Sequence, residues 1–280
     1  MEEAKAYCPG SIGFIFKACP HKNLLKMGSV GIGTTVNQGV TVCVQKNTKT
    51  EILFNQKLIH FPTVLTVIKA LTDKPIKLSI VSPLPLGFGF GLSGASALAV
   101  ALAVNQLLQL AQKEEKLVEI AHKAEIINKT GLGSVGTQAT GGFLLKTAPG
   151  IPVSGIILPL EKKKIYATII GRLPTPSVLR DNKKLERINT VADSQLAKIQ
   201  QLPTPALSDV LDISYEYVKE SGLLNNQAVK KIIESIRKIG GHATMAILGY
   251  VVFSDQPPKT AQYEVKELTI VKAKARLLLS

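Results

Sequence analysis

The sequence predicts an α+β fold of two domains, and three observations lead to this expectation. Segments rich in β-branched residues, such as 40–44 and 76–81, are typical of strands. The segments 95–110 and 114–128 have the length and apolar pattern of helices, and the first carries no charge. The stretch 147–152 combines two prolines with a glycine, which is typical of a joint between domains.

The joint divides the chain into a first domain over residues 1–150 and a smaller, helix-rich second domain over residues 151–280. A chain of this length buries a sizeable core without disulfides or metals. The other predicted elements are, in chain order, a helix over 62–71, a glycine-rich turn over 130–136, strands over 141–147, 153–158 and 165–170, helices between about 176 and 238, and closing strands over 245–253 and 263–272.

Composition excludes several classes of protein. Hydrophobic residues make up 45% and charged residues 19% of the chain, which is typical of a globular protein and not of a disordered one. The longest apolar stretches, 97–104 and 247–253, are far shorter than the roughly 18 residues of a membrane-spanning helix. The first residues lack the pattern of a signal peptide, and three cysteines are too few for a disulfide framework. We therefore expect a cytoplasmic protein without a membrane partner.

The formal net charge of +14 is spread evenly along the chain. Residues 1–150 hold 15 basic and 8 acidic residues, and residues 151–280 hold 19 basic and 12 acidic residues. Proteins that bind nucleic acids usually concentrate basic residues on one face and interleave them with aromatic residues. Because Trp is absent and aromatic residues make up 5% of the chain, we do not expect a nucleic-acid partner. An anionic small substrate and a lysine-rich surface are both compatible with the charge.

The strongest chemical signal is a glycine-rich loop before the uncharged helix. Residues 82–94 include two prolines and four glycines, which excludes regular secondary structure. Glycines let backbone N–H groups approach a phosphate closely, and the helix adds its unpaired N–H groups and the positive end of its dipole. The loop has neither the lysine of a Walker A motif nor the acidic residue of a Rossmann fingerprint. From the residues alone, a phosphate-binding loop and a plain strand–helix connection are both open.

The residues at 85–98, Pro-Leu-Gly-Phe-Gly-Phe-Gly-Leu-Ser-Gly-Ala-Ser-Ala-Leu, resemble the central motif of the GHMP kinases, usually written P-x-G-x-G-L-G-S-S-A-A. Cys8-Pro9-Gly10-Ser11 lies where that family has its N-terminal motif, and residues 240–245 lie where it has its C-terminal motif. Among these kinases, the archaeal pantoate kinases are similar to the chain over nearly its whole length. The further matching residues are 28–31, 39–41, 88–95, 121–125, 130–133, 141–142, 148–150, Thr175, 178–179 and 220–223.

This resemblance implies a two-domain GHMP-kinase fold and an activity. The reaction would be ATP-dependent phosphorylation of the 4-hydroxyl of pantoate with Mg²⁺, giving 4-phosphopantoate for coenzyme A synthesis. A GHMP kinase for another hydroxy acid, of the homoserine, shikimate or mevalonate type, is an open alternative. A catalytically silent homologue that binds nucleotide or pantoate is another, and a homodimer is left open.

The resemblance also implies roles for individual residues. Ser93 and Glu125 would ligate Mg²⁺, and with Ser134 they occupy the catalytic positions. From the residues alone, Ser93 is equally compatible with a helix N-cap and Glu125 with a solvated carboxylate. The implied nucleotide-binding residues are Pro85, Gly87, Gly89, Gly91, Leu92, Ser93, Gly94, Ala95 and Ser96, and the implied substrate-binding residues are Ser11, Gly131, Gly133 and Arg172.

Two positions depart from the family pattern. Ser134 stands where archaeal pantoate kinases have an Asp that acts as base, and Ser11 stands where a Lys or His is usual. An unperturbed serine hydroxyl cannot act as a base near neutral pH. Three explanations stay open: the reaction needs no side-chain base, another acid such as Asp181 reaches the site, or the chain binds ATP without efficient turnover. For the substrate carboxylate, Arg180 and Lys26 are candidates besides Arg172.

Overall fold

The structure of the protein is a computed structural model, which describes residues 2–173 and 182–278. Within these residues the chain forms twelve strands in two sheets and seven helices, which confirms the α+β prediction. The strands are β1 (Glu3–Cys19), β2 (Gly28–Lys46), β3 (Glu51–Phe54), β4 (Lys57–Leu58), β5 (Ile76–Val81), β6 (Phe143–Ala148), β7 (Ser154–Leu158), β8 (Lys164–Gly171), β9 (Ala243–Met245), β10 (Tyr250–Ser254), β11 (Glu264–Thr269) and β12 (Arg276–Leu278). The helices are α1 (Pro62–Leu71), α2 (Leu92–Leu108), α3 (Glu114–Asn128), α4 (Ser134–Thr140), α5 (Asn182–Gln200), α6 (Leu207–Glu220) and α7 (Gln227–Lys238).

The eight-stranded sheet is built around its two longest strands, β1 and β2, which pair antiparallel along nearly their whole length. The order across the sheet is β12-β1-β2-β5-β3-β4. On the side of β2 away from β1, residues 31–34 pair with β6 and residues 41–46 pair with β5. Strand β7 pairs with β6. The sheet therefore divides at the middle of β2, with β5 and β6 diverging from that point.

Helix α2 is buried on nearly all sides. It packs on β1 and β2 and contacts α1 and α3, and thirteen of its seventeen residues are buried. The helix carries no charged residue, so complete burial leaves no ionised side chain without water. This packing fixes where its N-terminal end lies relative to the sheet.

The second sheet is antiparallel, in the order β11-β8-β10-β9, and it is tied to the middle of β1. Ser214 Oγ on α6 donates a hydrogen bond to the Phe14 carbonyl (2.7 Å), and the Tyr217 hydroxyl donates one to the Phe16 carbonyl (2.9 Å). The Phe253 ring on β10 packs edge-on against Phe14, with centroids 6.4 Å apart. The two sheets therefore share part of one core.

Several element predictions are confirmed with the same bounds: the helices over 62–71 and 114–128 and the strand over 76–81. The single closing strand predicted over 245–253 is wrong, because the residues between β9 and β10 leave the sheet and pack against the glycine-rich loop. The turn predicted over 130–136 ends early, since α4 begins at Ser134.

The division of the chain near residue 150 stays a prediction. Strands β7 and β12, which lie beyond that residue, both pair within the eight-stranded sheet. The first part of the helical region expected from residue 176, with Thr175, Val178, Leu179, Arg180 and Asp181, lies outside the described residues. Among the helices described, none combines the length and the apolar character needed to cross a membrane.

Removing the Tyr217 hydroxyl should destabilise the protein. The side chain is fully buried and its hydrogen bond to Phe16 links α6 to β1, so Tyr217→Phe leaves a buried carbonyl without that donor. We expect the free energy of unfolding to fall by about 1–2 kcal/mol in urea denaturation. Tyr263→Phe, at a partly exposed tyrosine, is the control and should change it by less than about 0.5 kcal/mol. Equal effects of the two substitutions would contradict the role given to this bond.

Candidate active site

A cavity of about 450 Å³ opens at the N-terminal end of α2. The glycine-rich loop forms one wall, the middle of β1 and β2 forms another, and the segment 130–134 forms a third. Residues 247–248 contribute from the side of the second sheet. The cavity therefore brings together segments that are distant in the sequence.

The glycine-rich loop reaches the helix through a left-handed residue. Gly91 precedes α2 with φ = +63°, and a Cβ at this position would collide with Ser11 Oγ, so this position favours glycine. The backbone N–H of Ser11 donates to the Phe90 carbonyl (2.9 Å) and holds the loop against β1. No described side chain caps α2, so its first N–H groups have no side-chain acceptor there. This end of the helix suits an anion such as a phosphate.

Ser93 is therefore not the N-cap, because Gly91 occupies that position and Ser93 is the second residue of the helix. The Ser93 hydroxyl donates to Thr63 Oγ1 on α1 (3.3 Å), and Thr63 Oγ1 lies 2.9 Å from Thr130 Oγ1. Thr130 Oγ1 in turn donates to Glu125 Oε1 (3.0 Å). A chain of hydroxyl groups thus connects Ser93 on α2 with the carboxyl group of Glu125 on α3.

Glu125 is a buried carboxyl group, not a solvated one. Only 2% of the residue is exposed, and it forms no ion pair with any described residue. Burial raises the pKa of its carboxyl group to about 7, and the hydrogen bond from Thr130 and the nearby Ser93 hydroxyl partly oppose this rise. A Cβ on Gly131 would collide with Glu125 Oε2, and one on Gly94 would lie 2.8 Å from it. The two glycines therefore make the space that the carboxyl group occupies.

The residues around Glu125 fit a magnesium ion. A carboxylate and neighbouring hydroxyl groups are hard oxygen ligands, which Mg²⁺ prefers, and Glu125 has no other cation to compensate its charge among the described residues. Ser93 and Glu125 would hold the metal, as the sequence predicts. The metal would neutralise charge on the phosphates of a bound nucleotide.

Lys146 is a buried cation that the sequence analysis did not single out. Its Nζ donates hydrogen bonds to Ser29 Oγ (3.1 Å) and to the Gly133 carbonyl (3.3 Å), and the residue lines the cavity. Burial lowers the pKa of its ammonium group to about 8. A Cβ on Gly133 would collide with Lys146 Nζ, so glycine at this position lets the lysine reach the cavity.

Gln138 is a second residue that the sequence analysis did not single out. It lies on α4 and is fully buried, and its Nε2 donates to the Gly91 carbonyl (2.9 Å) and to Ser11 Oγ (3.2 Å). Its Oε1 is also buried and has no hydrogen-bond partner. Gln138 thus joins the N-terminal motif to the start of α2.

The structure brings most of the predicted site residues together. The cavity wall includes Gly87, Gly89, Gly91, Leu92 and Ser93 of the predicted nucleotide set, and Ser11, Gly131, Gly133, Ser134 and Arg172 of the predicted catalytic and substrate sets. Glu125 is not part of the wall and lies behind Thr130 and Gly131, which line it. The individual roles of all these residues stay predictions.

The remaining predicted nucleotide residues are not part of the wall. Pro85, Gly94, Ala95 and Ser96 are outside the lining set, and the Ser96 hydroxyl is buried without a partner. The Ser96 hydroxyl therefore does not line the cavity.

Arg172 lies at the mouth of the cavity. It is exposed, its guanidinium lies 5.5 Å from the centre of the Phe88 ring, and a Cβ on Gly87 would lie 3.5 Å from its Nε. This position is beside the glycine-rich loop. Lys26 is also exposed, and Arg180 and Asp181 fall outside the described residues.

Comparisons with known proteins show the family to which the chain belongs. The family model described as "GHMP kinases N terminal domain" matches residues 60–142. The pantoate kinase of Methanocaldococcus jannaschii is 30% identical, over 91% of this chain and 94% of that protein. The pantoate kinase of Methanospirillum hungatei is 26% identical, over 91% and 88%.

Solved structures show the same fold. A phosphotransferase related to the coenzyme A biosynthesis pathway has a TM-score of 0.84 at 22% identity and covers 98% of both chains. The mevalonate-3-kinase of Thermoplasma acidophilum, with mevalonate 3-phosphate and ADP bound, has a TM-score of 0.70 at 15% identity and covers 99% of both chains.

Replacing Glu125 should change how stability depends on pH. In the metal-free protein the folded-state pKa of about 7 lies above the ordinary 4.5, so the stabilisation from the neutral group is complete below 4.5 and is lost as pH rises through about 7. Glu125→Gln keeps a neutral group at all pH values. We therefore expect its free energy of unfolding, relative to wild type, to be about 2 kcal/mol higher at pH 7.5 than at pH 5.

Urea denaturation of both proteins at the two pH values, with EDTA present, measures this difference. Glu115→Gln removes an exposed carboxylate from the same helix and should give no such pH-dependent difference. If Glu125→Gln behaves like this control, the carboxyl group of Glu125 is not titrating with a raised pKa.

Proposed function

From the premise that the chain belongs to the GHMP kinase family and is an ATP-dependent kinase, we propose that it phosphorylates the 4-hydroxyl of pantoate. The curated relatives named pantoate kinase support this choice of acceptor. One observation within the molecule carries it: the cavity has a buried ammonium group, Lys146, that no described carboxylate pairs with. A hydroxy acid supplies both the hydroxyl to be phosphorylated and the carboxylate that such a cation needs.

The proposed binding mode places the two substrates at opposite walls. The phosphates of ATP lie along the glycine-rich loop and the N-terminal end of α2, with the metal held by Ser93 and Glu125. The acceptor carboxylate pairs with Lys146 Nζ, next to Ser29. Residues 130–134 lie between these two regions because Gly131 adjoins Glu125 and Gly133 adjoins Lys146.

In the proposed reaction the acceptor hydroxyl oxygen bonds to the γ-phosphorus, and the bond from that phosphorus to the β–γ bridging oxygen breaks. Mg²⁺, when bound, neutralises charge on the phosphate oxygens. The described residues that line the cavity include no Asp or Glu, so no carboxylate there is placed to take the hydroxyl proton. In a loose transition state the hydroxyl stays protonated until late, so the proton can pass to the transferred phosphoryl group. The protein then contributes alignment and charge.

The acceptor is tested with a coupled ADP assay on the purified protein. With Mg-ATP we expect pantoate to give the highest kcat/KM in a panel that includes homoserine, shikimate and mevalonate. A different best acceptor would replace pantoate and keep the kinase assignment. Because Ser134 stands where archaeal pantoate kinases have an Asp, the same assay is also run on the Ser134→Asp variant. If wild type binds ATP by calorimetry without turning over any acceptor while this variant is active, the chain is a silent binding homologue.

The role of Lys146 predicts a selective loss of acceptor binding. Lys146→Met removes the charge from a buried position, and we expect the KM for pantoate to rise by about 30-fold or more while the KM for ATP changes by less than about 3-fold. In wild type, kcat/KM for pantoate should fall as pH rises above about 8, because the ammonium group then loses its proton. The variant should lack this fall.

Lys77→Met, which removes an exposed lysine from β5, is the matched control for charge. It should leave both KM values unchanged. Equal increases of the two KM values in Lys146→Met would show that the lysine supports the whole cavity and does not hold the acceptor.

A further inference from the structure

The amide of Gln138 connects two sides of the cavity. Gln138 lies on α4, one turn after Ser134, which lines the cavity. From this helix its Nε2 reaches across to the Gly91 carbonyl (2.9 Å) at the start of α2 and to Ser11 Oγ (3.2 Å) on β1. We call the wall formed by residues 130–134 and the start of α4 the acceptor wall, and the glycine-rich loop at 82–94 the phosphate loop. Helix α4 is therefore hydrogen-bonded directly to the phosphate loop.

The Gly91 carbonyl, which accepts the Gln138 amide, also takes part in the start of α2. It also accepts the backbone N–H of Ala95 (3.0 Å), which is the first hydrogen bond of α2. A Cβ on Gly91 would lie 3.1 Å from Gln138 Nε2 and would collide with Ser11 Oγ. Gln138 and Ser11 thus enclose the residue that sets the direction in which the first N–H groups of α2 point.

The other end of the amide is unsatisfied. Gln138 Oε1 is buried and has no hydrogen-bond partner. It lies 3.0 Å from the position that a Cβ on Gly94 would occupy, and Glu125 Oε2 lies 2.8 Å from the same position. An unpaired buried oxygen destabilises the fold, and a methionine of similar length would avoid it. Stability alone therefore does not account for an amide at this position.

We propose that Gln138 is a positioning residue, which holds the phosphate loop in register with the acceptor wall through its bonds to Gly91 and Ser11. This proposal rests on the proposed kinase function. Its amide does not line the cavity, so it acts on the substrates through the loop and through α4. Small displacements of reacting groups lower rates strongly, so loss of this register lowers kcat more than it weakens binding.

Gln138→Met tests the proposal, because it keeps the length of the side chain and removes both the donors and the unpaired oxygen. We expect kcat with Mg-ATP and pantoate to fall by about 10-fold or more, with both KM values within about 3-fold of wild type. We expect the melting temperature to stay equal to that of wild type or to rise. A kcat within about 3-fold of wild type, or a loss of kcat that is accompanied by a lower melting temperature, overturns the proposal.

A double-mutant cycle supplies a readout that a packing role would not move. Ser11→Ala should lower kcat in the wild-type background and have no further effect in Gln138→Met, because the contact between them is already lost. Fully additive effects of the two substitutions overturn the proposal.

The two proposals fail in different ways. If wild type does not phosphorylate pantoate but turns over another hydroxy acid, the function is wrong and the same Gln138 variants are measured with that acceptor. If wild type turns over no acceptor, the proposed function and the positioning role are both refuted. If wild type is active and Gln138→Met is equally active, only the positioning role is refuted.

Discussion

The burial of an uncharged helix against the large sheet is the constraint on which the candidate site depends. Helix α2 can be enclosed by strands and helices because none of its residues carries a charge. Enclosure also fixes its N-terminal end, where the first N–H groups have no partner within the helix and no side-chain cap. That end opens onto the cavity, so the feature that builds the core also presents a set of donors to an anion.

Two buried ionisable groups of opposite sign follow from this arrangement. Glu125 and Lys146 are both withdrawn from water, and desolvation shifts the pKa of each towards its neutral form. Neither pairs with a described residue of opposite charge, and the glycines at 131 and 133 keep space for each. A cation beside Glu125 and an anion beside Lys146 would restore both charges. The net charge of +14 is spread evenly along the chain, and salt screens its exposed part, so it does not explain this selection.

The sequence locates the residues next to its motifs and misses those that only the fold brings near. Ser93 and Glu125 could be predicted because the matching stretches 88–95 and 121–125 contain them. Gln138 meets Ser11 across 127 positions and Lys146 meets Ser29 across 117, and no local pattern reports such contacts. One signal for Lys146 was present, since it is the single charged residue in the strand 143–148 and follows three apolar residues. Strand β1 was missed because its Pro9, Gly10 and Gly13 are typical of turns, whereas the strand continues past them by shifts in register.

The serine at position 134 has a physical consequence that reaches beyond the question of a base. Ser134 Cβ and Glu125 Oε2 lie 3.2 and 2.8 Å from the same point, the Cβ position of Gly94. A carboxylate in place of Ser134 would therefore put a second negative charge near a carboxyl group whose pKa is already raised by burial, and would raise it further until a metal bound. With a neutral serine there, this repulsion is absent. No carboxylate at position 134 then competes with the acceptor carboxylate for Lys146. In the proposed reaction the chain then relies on alignment of the two substrates, for which contacts between α4, the phosphate loop and β1 matter more than a proton acceptor does.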